Sequence, residues 1–377
     1  MECYLDNSAT TKPCKAAVEA AVQAMTDVFG NPSSLHRHGF AALQLLEAAR
    51  AAVAKPLAAE SGEIYFTPSG TAANNTAIFG AVQKNRRRGN TIVTTAYEHP
   101  SVEKCMERLE SEGFTVIRLT PDKKGNITAE QFAEAIDENT ILVSVMAVNN
   151  EVGSILPFSE IASVLRRKKS PALLHVDAVQ GFLKLPIVPK KCGIDLMSVS
   201  AHKVHGLKGA GALYIRKGVQ IPPHLLGGGQ ENGICSGTQG MPAIAAFQAA
   251  VEACGDVRKN SENVQALNHR LREKLTAVAG VTVHSPENAL PYILNISLDG
   301  IPAQVSVNFL SGEGVYVSAG SACAKGHRSP VLTAMGLSSA EIDSAIRISL
   351  SRETTEEEID SCVRALQKAT AQLRKKG

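Results

Sequence analysis

The chain has 377 residues, of which 44% are hydrophobic and 20% charged, with a net charge of +3, a globular composition that excludes a largely disordered protein and a basic nucleic-acid-binding surface. A chain this long exceeds what one small core supports, so two or three domains are expected. No apolar run approaches the ~20 residues of a membrane helix, and Met1-Glu2-Cys3-Tyr4-Leu5-Asp6 lacks a basic stretch followed by an apolar one, so a cytoplasmic protein that engages no membrane is expected.

From about Lys12 to Ala253 strand and helix signals alternate. Residues 64–67, 91–95, 115–119, 141–148, 173–176, 196–200 and 212–215 read as strands, being short apolar runs rich in β-branched residues. Between most of them lie amphipathic stretches such as 129–136 and 158–167. This grammar predicts an α/β fold with a mostly parallel sheet wrapped by helices, and ligands bound at the carboxyl ends of strands. After Gly240 a long helical stretch runs from Met241 to about Val278, interrupted near Gly255-Asp256. Beyond it come strand signals at 281–283, 292–298, 315–318 and 346–350, a helix near 303–310, and a closing helix opened by a capping box in Thr354-Thr355-Glu356-Glu357-Glu358. Residues 12–254 are therefore expected to form a large α/β domain. Residues 1–11 with 255–377 are expected to form a smaller α+β domain.

Two strand ends carry the chemistry. Leu173-Leu174-His175-Val176 delivers Asp177, with Gln180 three residues on, and the run 196–200 delivers His202-Lys203. A buried carboxylate and a buried amine both cost free energy. An acid for a pyridinium nitrogen and a lysine for a Schiff base form the pairing that pyridoxal phosphate (PLP) requires. Phe66-Thr67-Pro68-Ser69-Gly70-Thr71 leads from a strand into a helix and would offer backbone N–H groups and the Thr71 hydroxyl to a phosphate; read alone, such a turn is more often an ordinary N-cap. The eight cysteines show no CxxC or Cys/His spacing, which indicates neither a metal site nor a disulfide framework. Cys323 stands apart, in a stretch with Lys325, His327 and Arg328 that reads as a loop and would favour its thiolate.

These motifs resemble the cysteine desulfurases of the nitrogen-fixation and iron–sulfur-cluster type, in the class V branch of the aspartate-aminotransferase-like (type I) PLP fold. The resemblance rests on Tyr4-Leu5-Asp6-Asn7-Ser8-Ala9-Thr10-Thr11, Phe29-Gly30-Asn31-Pro32-Ser33-Ser34, Val148-Asn149-Asn150-Glu151-Val152-Gly153, His175-Val176-Asp177-Ala178-Val179-Gln180 and Ser200-Ala201-His202-Lys203. Gly227-Gly228-Gly229-Gln230-Glu231, Ser236-Gly237-Thr238 and Gly320-Ser321-Ala322-Cys323 extend it along the chain in order. It implies that Lys203 carries PLP and moves the Cα proton. Asp177 would face the pyridine nitrogen and Gln180 the ring oxygen, while His99 stacks on the ring and relays a proton. Gly70, Thr71, Ser200 and His202 would hold the phosphate, with Thr238 supplied by the second subunit of a homodimer. Asn150 would contact cofactor and substrate, and Arg347 would grip the carboxylate of L-cysteine. Cys323 would receive the sulfur as a persulfide and pass it to an acceptor or iron–sulfur scaffold protein.

The chain departs from the family pattern in places. Ala72 follows Thr71 where a Glu is usual, Pro68 stands early in the turn, and Asn232 and Cys235 replace two frequent arginines. The segment from Cys323 to Leu332 is about two residues shorter than in the scaffold-associated members, which leaves the acceptor open. Cys235 is either space-filling or a second thiol near the site. Two other functions remain: another PLP reaction on small amino acids, such as selenocysteine lysis, β-elimination or transamination, and a degenerate partner in sulfur trafficking.

Overall fold

The computed structural model describes residues 2–319 and 328–374. The chain opens with β1 (Cys3–Tyr4), α1 (Lys15–Thr26) and α2 (Arg37–Ala54). Strand and helix then alternate through β2 (Ile64–Thr67), α3 (Gly70–Asn85), β3 (Thr91–Thr95), α4 (Pro100–Ser111), β4 (Thr115–Leu119), α5 (Ala129–Ala135) and β5 (Thr140–Met146). The alternation continues with α6 (Phe158–Lys168), β6 (Leu173–Asp177), α7 (Pro189–Cys192), β7 (Leu196–Ser200) and β8 (Gly211–Ile215).

These strands form a seven-stranded sheet in the order β2-β8-β7-β6-β5-β3-β4. Only β8 runs antiparallel to its neighbours, β2 and β7; the remaining pairs are parallel. The sequence reason is that β3, β5, β6, β7 and β8 are buried throughout, as strands covered on both faces must be. Alternate residues serve opposite faces. Ile92 and Leu142 join a core with α3 and α4 that includes Ala77 and Met106. Val93 and Val143 face a larger core with Tyr97, Met197, Phe247 and Tyr292.

The second half comprises α8 (Met241–Glu252), α9 (Val257–Leu275), β9 (Val281–Val283), β10 (Ile293–Leu298), α10 (Ala303–Gly312), β11 (Val315–Tyr316), β12 (Ser318–Ala319), α11 (Pro330–Ala334), α12 (Ser339–Asp343), β13 (Ala345–Ser349) and α13 (Glu356–Leu373). A four-stranded sheet has the order β12-β13-β10-β9, antiparallel at every pair. The single strand expected at 315–318 is two short pieces. β11 pairs in parallel with β1 and β12 pairs with β13, so the chain changes sheets at Val317. The strand expected at 141–148 ends at Met146, because Val148 instead bridges to Ile155 around a turn. The capping box of α13 is formed: Thr355 accepts from the Glu358 N–H at 3.3 Å, and the Glu358 carboxylate accepts from the Thr355 N–H at 2.9 Å. Among the described residues no helix is long and apolar enough to cross a membrane.

Candidate active site

The carboxyl ends of β6 and β7 meet the N-terminal ends of α3 and α4, with the segment 6–11 laid across them. Asp177 is the last residue of β6 and is buried. One carboxylate oxygen accepts from Asn74 Nδ2 at 2.7 Å and the other from the Val179 N–H at 3.0 Å. Asn74 comes from α3 and also donates to Ser101 Oγ of α4 at 2.8 Å. The acid is thus fixed in place by two neighbouring elements.

Lys203 ends a single 3-10 turn, Ala201–Lys203, directly after β7. Its Nζ donates to the carbonyl oxygens of Ser8 and, at 2.9 Å, Ala9. Gln180 is buried and donates through Nε2 to the same Ser8 carbonyl at 2.9 Å. The N-terminal segment is itself pinned from both sides. Thr11 donates through N–H and hydroxyl to the His202 carbonyl, at 2.9 and 3.0 Å. The Ser8 N–H donates to Ser349 Oγ at 2.9 Å, so this segment ties β7 to β13.

His99 caps α4, where Pro100 occupies the first helical position and needs no hydrogen-bond acceptor for its nitrogen. Its Nδ1 accepts from the Ser101 N–H at 3.1 Å. A backbone N–H can only donate, so that bond assigns the neutral ring's proton to Nε2. Burial lowers the His99 pKa, and the charge of Lys203 adds to this, while Asp177 opposes it. His202 is half-buried, with Nδ1 3.2 Å from Thr10 Oγ1. Its pKa is pushed down to about 4, first by burial and then by Lys203, Lys208 and Lys184.

The N-terminus of α3 approaches β7 closely. A Cβ on Gly70 would lie 2.9 Å from Val179 Cγ2 and 3.2 Å from Ser200 Cβ. Only glycine lets the helix end sit against Ser200; Ser69 takes the Ala72 N–H through Oγ and the Ala73 N–H through its carbonyl, both at 3.1 Å, and the Gly70 and Thr71 N–H groups with the Thr71 and Ser200 hydroxyls make up a set of donors. Residues suited to each part of PLP are therefore present: an amine, a buried acid, an amide and a glycine-lined helix terminus. Arg347, on β13, is buried and donates to Asp6 Oδ1 at 3.0 Å and to the Asn150 carbonyl at 2.9 Å. Its Nε has no partner among the described residues. Behind it, burial pushes the Glu151 carboxyl up to about 7, opposed by the Ser329 hydroxyl, which donates at 2.6 Å, and by Arg347.

Asp177, Gln180, Lys203, His99, Gly70, Ser200 and His202 thus come together from separated positions, and Asn150 and Arg347 adjoin them through Asp6. Thr238 is exposed, and among the described residues no hydrogen bond joins it to this group. Cys323 lies outside the described residues. Cys235 is buried, and burial together with Glu231 raises its thiol pKa. Sequence reasoning missed Asn74, Glu98, Asp6 and Lys184. Asp6 lay inside the quoted Tyr4–Thr11 motif, Glu98 beside His99 and Lys184 four residues beyond Gln180, but a lone polar side chain carries no signal of burial.

The chain matches the family model Aminotransferase class-V over residues 3–362. It is 38% identical over 375 residues to the cysteine desulfurase IscS of Methanosarcina thermophila, covering 98% of this chain and 92% of that one. Identity to the cysteine desulfurase NifS of Azotobacter vinelandii is also 38%, over 377 residues, with 98% and 93% covered. Among solved structures, a NifS-like protein superposes with a TM-score of 0.93 at 37% identity, covering 98% of this chain and all of that one. A structure described as SspA in complex with cysteine gives 0.83 at 34% identity, with 94% and 100% covered.

Proposed function

The chain belongs to the class-V aminotransferase family and to its cysteine desulfurases of the NifS and IscS kind, and on that premise we propose how its own residues take sulfur from L-cysteine. The observation that carries the proposal is the meeting of Asp177, Gln180 and Lys203 at two adjacent strand ends, with Gln180 and Lys203 on one carbonyl, that of Ser8. Bound PLP supplies an electron sink for the pair released at the substrate Cα. Lys203 would hold the cofactor, then take the Cα proton and return a proton to carbon. Asp177, kept in place by Asn74, would pair with the pyridine nitrogen, and Gln180 would donate to the ring oxygen. His99 would face the ring and offer Nε2–H. Gly70, Thr71, Ser200 and His202 would hold the phosphate.

Arg347 and Asn150 orient the substrate carboxylate, and the unpartnered Nε–H of Arg347 is a donor that a carboxylate would satisfy. The Cys323 thiolate then attacks the substrate sulfur. An S–S bond forms as the substrate C–S bond breaks, the electron pair stays with carbon, and protonation there gives L-alanine. The persulfide on Cys323 passes to an acceptor for iron–sulfur-cluster or other thio-cofactor synthesis. Such thiol chemistry suits the reducing cytoplasm.

The proposal includes a homodimer in which Thr238 of one copy reaches the phosphate of the other. In its support, Val18, Val22 and Met25 lie three and four residues apart on α1 and are about half exposed, with Phe29 and Phe40 exposed nearby. The division into 12–254 and 1–11 with 255–377 belongs to the same reading, supported by the two sheets and by the pairing of β1 with β11. The test is to supply the PLP-loaded enzyme with L-cysteine and a thiol reductant and measure alanine and sulfide together. Equal yields are expected, and Cys323→Ala should keep the visible PLP band and release no sulfide. Undiminished sulfide from that variant would instead favour β-elimination or selenocysteine-type lysis, which need no protein thiol.

A further inference from the structure

One buried lysine has no part in the reaction above. Lys184 lies four residues beyond Gln180 and is 7% exposed. Its Nζ donates to Gln180 Oε1 at 3.4 Å and sits 5.5 Å from the centre of the Tyr292 ring. Lys184 and Lys203 together line a cavity of about 20 Å³, whose other walls include Thr11, His205, Tyr292 and Cys254. Among the described residues that line the cavity none is an acid. A buried cation without a carboxylate costs several kcal/mol, a cost the fold carries for a core that a methionine would fill more cheaply.

The contacts also decide the orientation of Gln180. The Ser8 carbonyl can only accept, so the NH2 of the amide must face it. Lys184 meets the oxygen on the other side. With its oxygen satisfied behind and one N–H on Ser8, Gln180 retains one N–H for the site.

We propose that Lys184 is a positioning residue acting through Gln180 and Lys203: it turns the Gln180 amide NH2 toward the site, and its positive charge across the cavity disfavours a proton on Lys203. Arg352 is a further cation in that lining, and the acid Glu353 stands 3.5 Å from His205 Nδ1. Burial pushes Lys184 down to about 7, with Lys203 and Arg347 adding to the effect. His202 and His205, which border the same region, are themselves held toward neutrality, chiefly by burial.

The inference rests on Lys203 being the cofactor lysine, and the experiment separates the two. The visible absorption of the PLP-loaded protein is titrated between about pH 6 and 10 for the parent, Lys184→Met, Lys184→Arg and Lys184→Gln. Lys184 carries its charge below about pH 7, so removing it should move the spectral midpoint up by about one pH unit in Lys184→Met and Lys184→Gln, whereas Lys184→Arg, charged at every pH, should leave the midpoint at or below that of the parent. An unmoved midpoint in Lys184→Met that still loads PLP overturns the proposal. Should Lys184→Met not load, an unmoved midpoint in Lys184→Gln overturns it equally. Lys203→Ala tests the underlying reading, since a retained lysine-linked PLP band there would refute the assignment of Lys203 and not the role of Lys184.

Discussion

Glu98 stands beside His99 and is buried beneath the site, 5% exposed. Its Oε1 accepts from the Thr95 hydroxyl at 2.6 Å and the Met146 N–H at 3.0 Å, while Oε2 is buried without a partner among the described residues. Burial pushes the carboxyl up to about 8; the bonds from Thr95 and Met146 oppose the rise, and the nearby Asp177 and Glu103 add to it. The fold therefore favours the protonated acid. Stability from this group is complete below the ordinary value of 4.5, is lost as pH rises to about 8, and is constant above that. At ~1.4 kcal/mol per pH unit the loss has an upper bound on the order of 4 to 5 kcal/mol. Glu98→Gln removes this titration while its amide oxygen still accepts from Thr95 and Met146. The NH2 group then takes the unpartnered place of Oε2, at a pH-independent cost of about 1–3 kcal/mol. Urea unfolding of both proteins from about pH 5 to 9, at one PLP concentration, reads the difference. The variant should be the less stable at the acid end and gain steadily on the parent as pH rises. A difference that stays constant across the range would refute the reasoning, because every other titrating group is shared.

Gly70→Ala places a methyl 2.9 Å from Val179 Cγ2 and 3.2 Å from Ser200 Cβ, so PLP affinity read by fluorescence titration should fall ~10-fold; unchanged affinity would remove Gly70 and Ser200 from the phosphate cradle. Arg50 donates to both carboxylate oxygens of the buried Glu231, at 2.6 and 3.1 Å, and Arg50→Met leaves that acid with Phe66 N–H and Gln239 alone. Urea unfolding should show a loss of about 3–5 kcal/mol, and a loss below 1 kcal/mol, the range of a surface pair, would contradict the burial assigned to it. Cys235→Ser should leave alanine production within about twofold of the parent, since burial raises that thiol; an effect as complete as that of Cys323→Ser would make Cys235 a participant.

Asp177 and Lys203 were legible because one ends and the other closely follows a short, largely apolar buried strand, and a charge at such a strand end has few structural uses. Gly70 was legible through turn chemistry at a helix start, and His99 only through the family resemblance. The partners that hold these residues were not. Asn74 lies inside α3, where an asparagine reads as a solvent-facing residue, and its bond to Asp177 spans 103 positions. Lys184 and Glu98 read as surface charges, because burial follows from how β3, β5 and β6 stack with the second half of the chain. The break at Val317 was hidden for a similar reason: 315–318 reads as one strand, and the competing partners β1 and β13 divide it.

The proposed reaction moves sulfur from L-cysteine to this chain's own thiol. The PLP-loaded protein is treated with L-cysteine in the absence of reductant, digested, and the peptide containing Cys323 is weighed by mass spectrometry. One additional sulfur atom on Cys323 is expected, removed by thiol reductant, with one alanine formed per sulfur bound. Alanine formed with Cys323 unmodified, or sulfur carried on another cysteine, would contradict the proposed reaction.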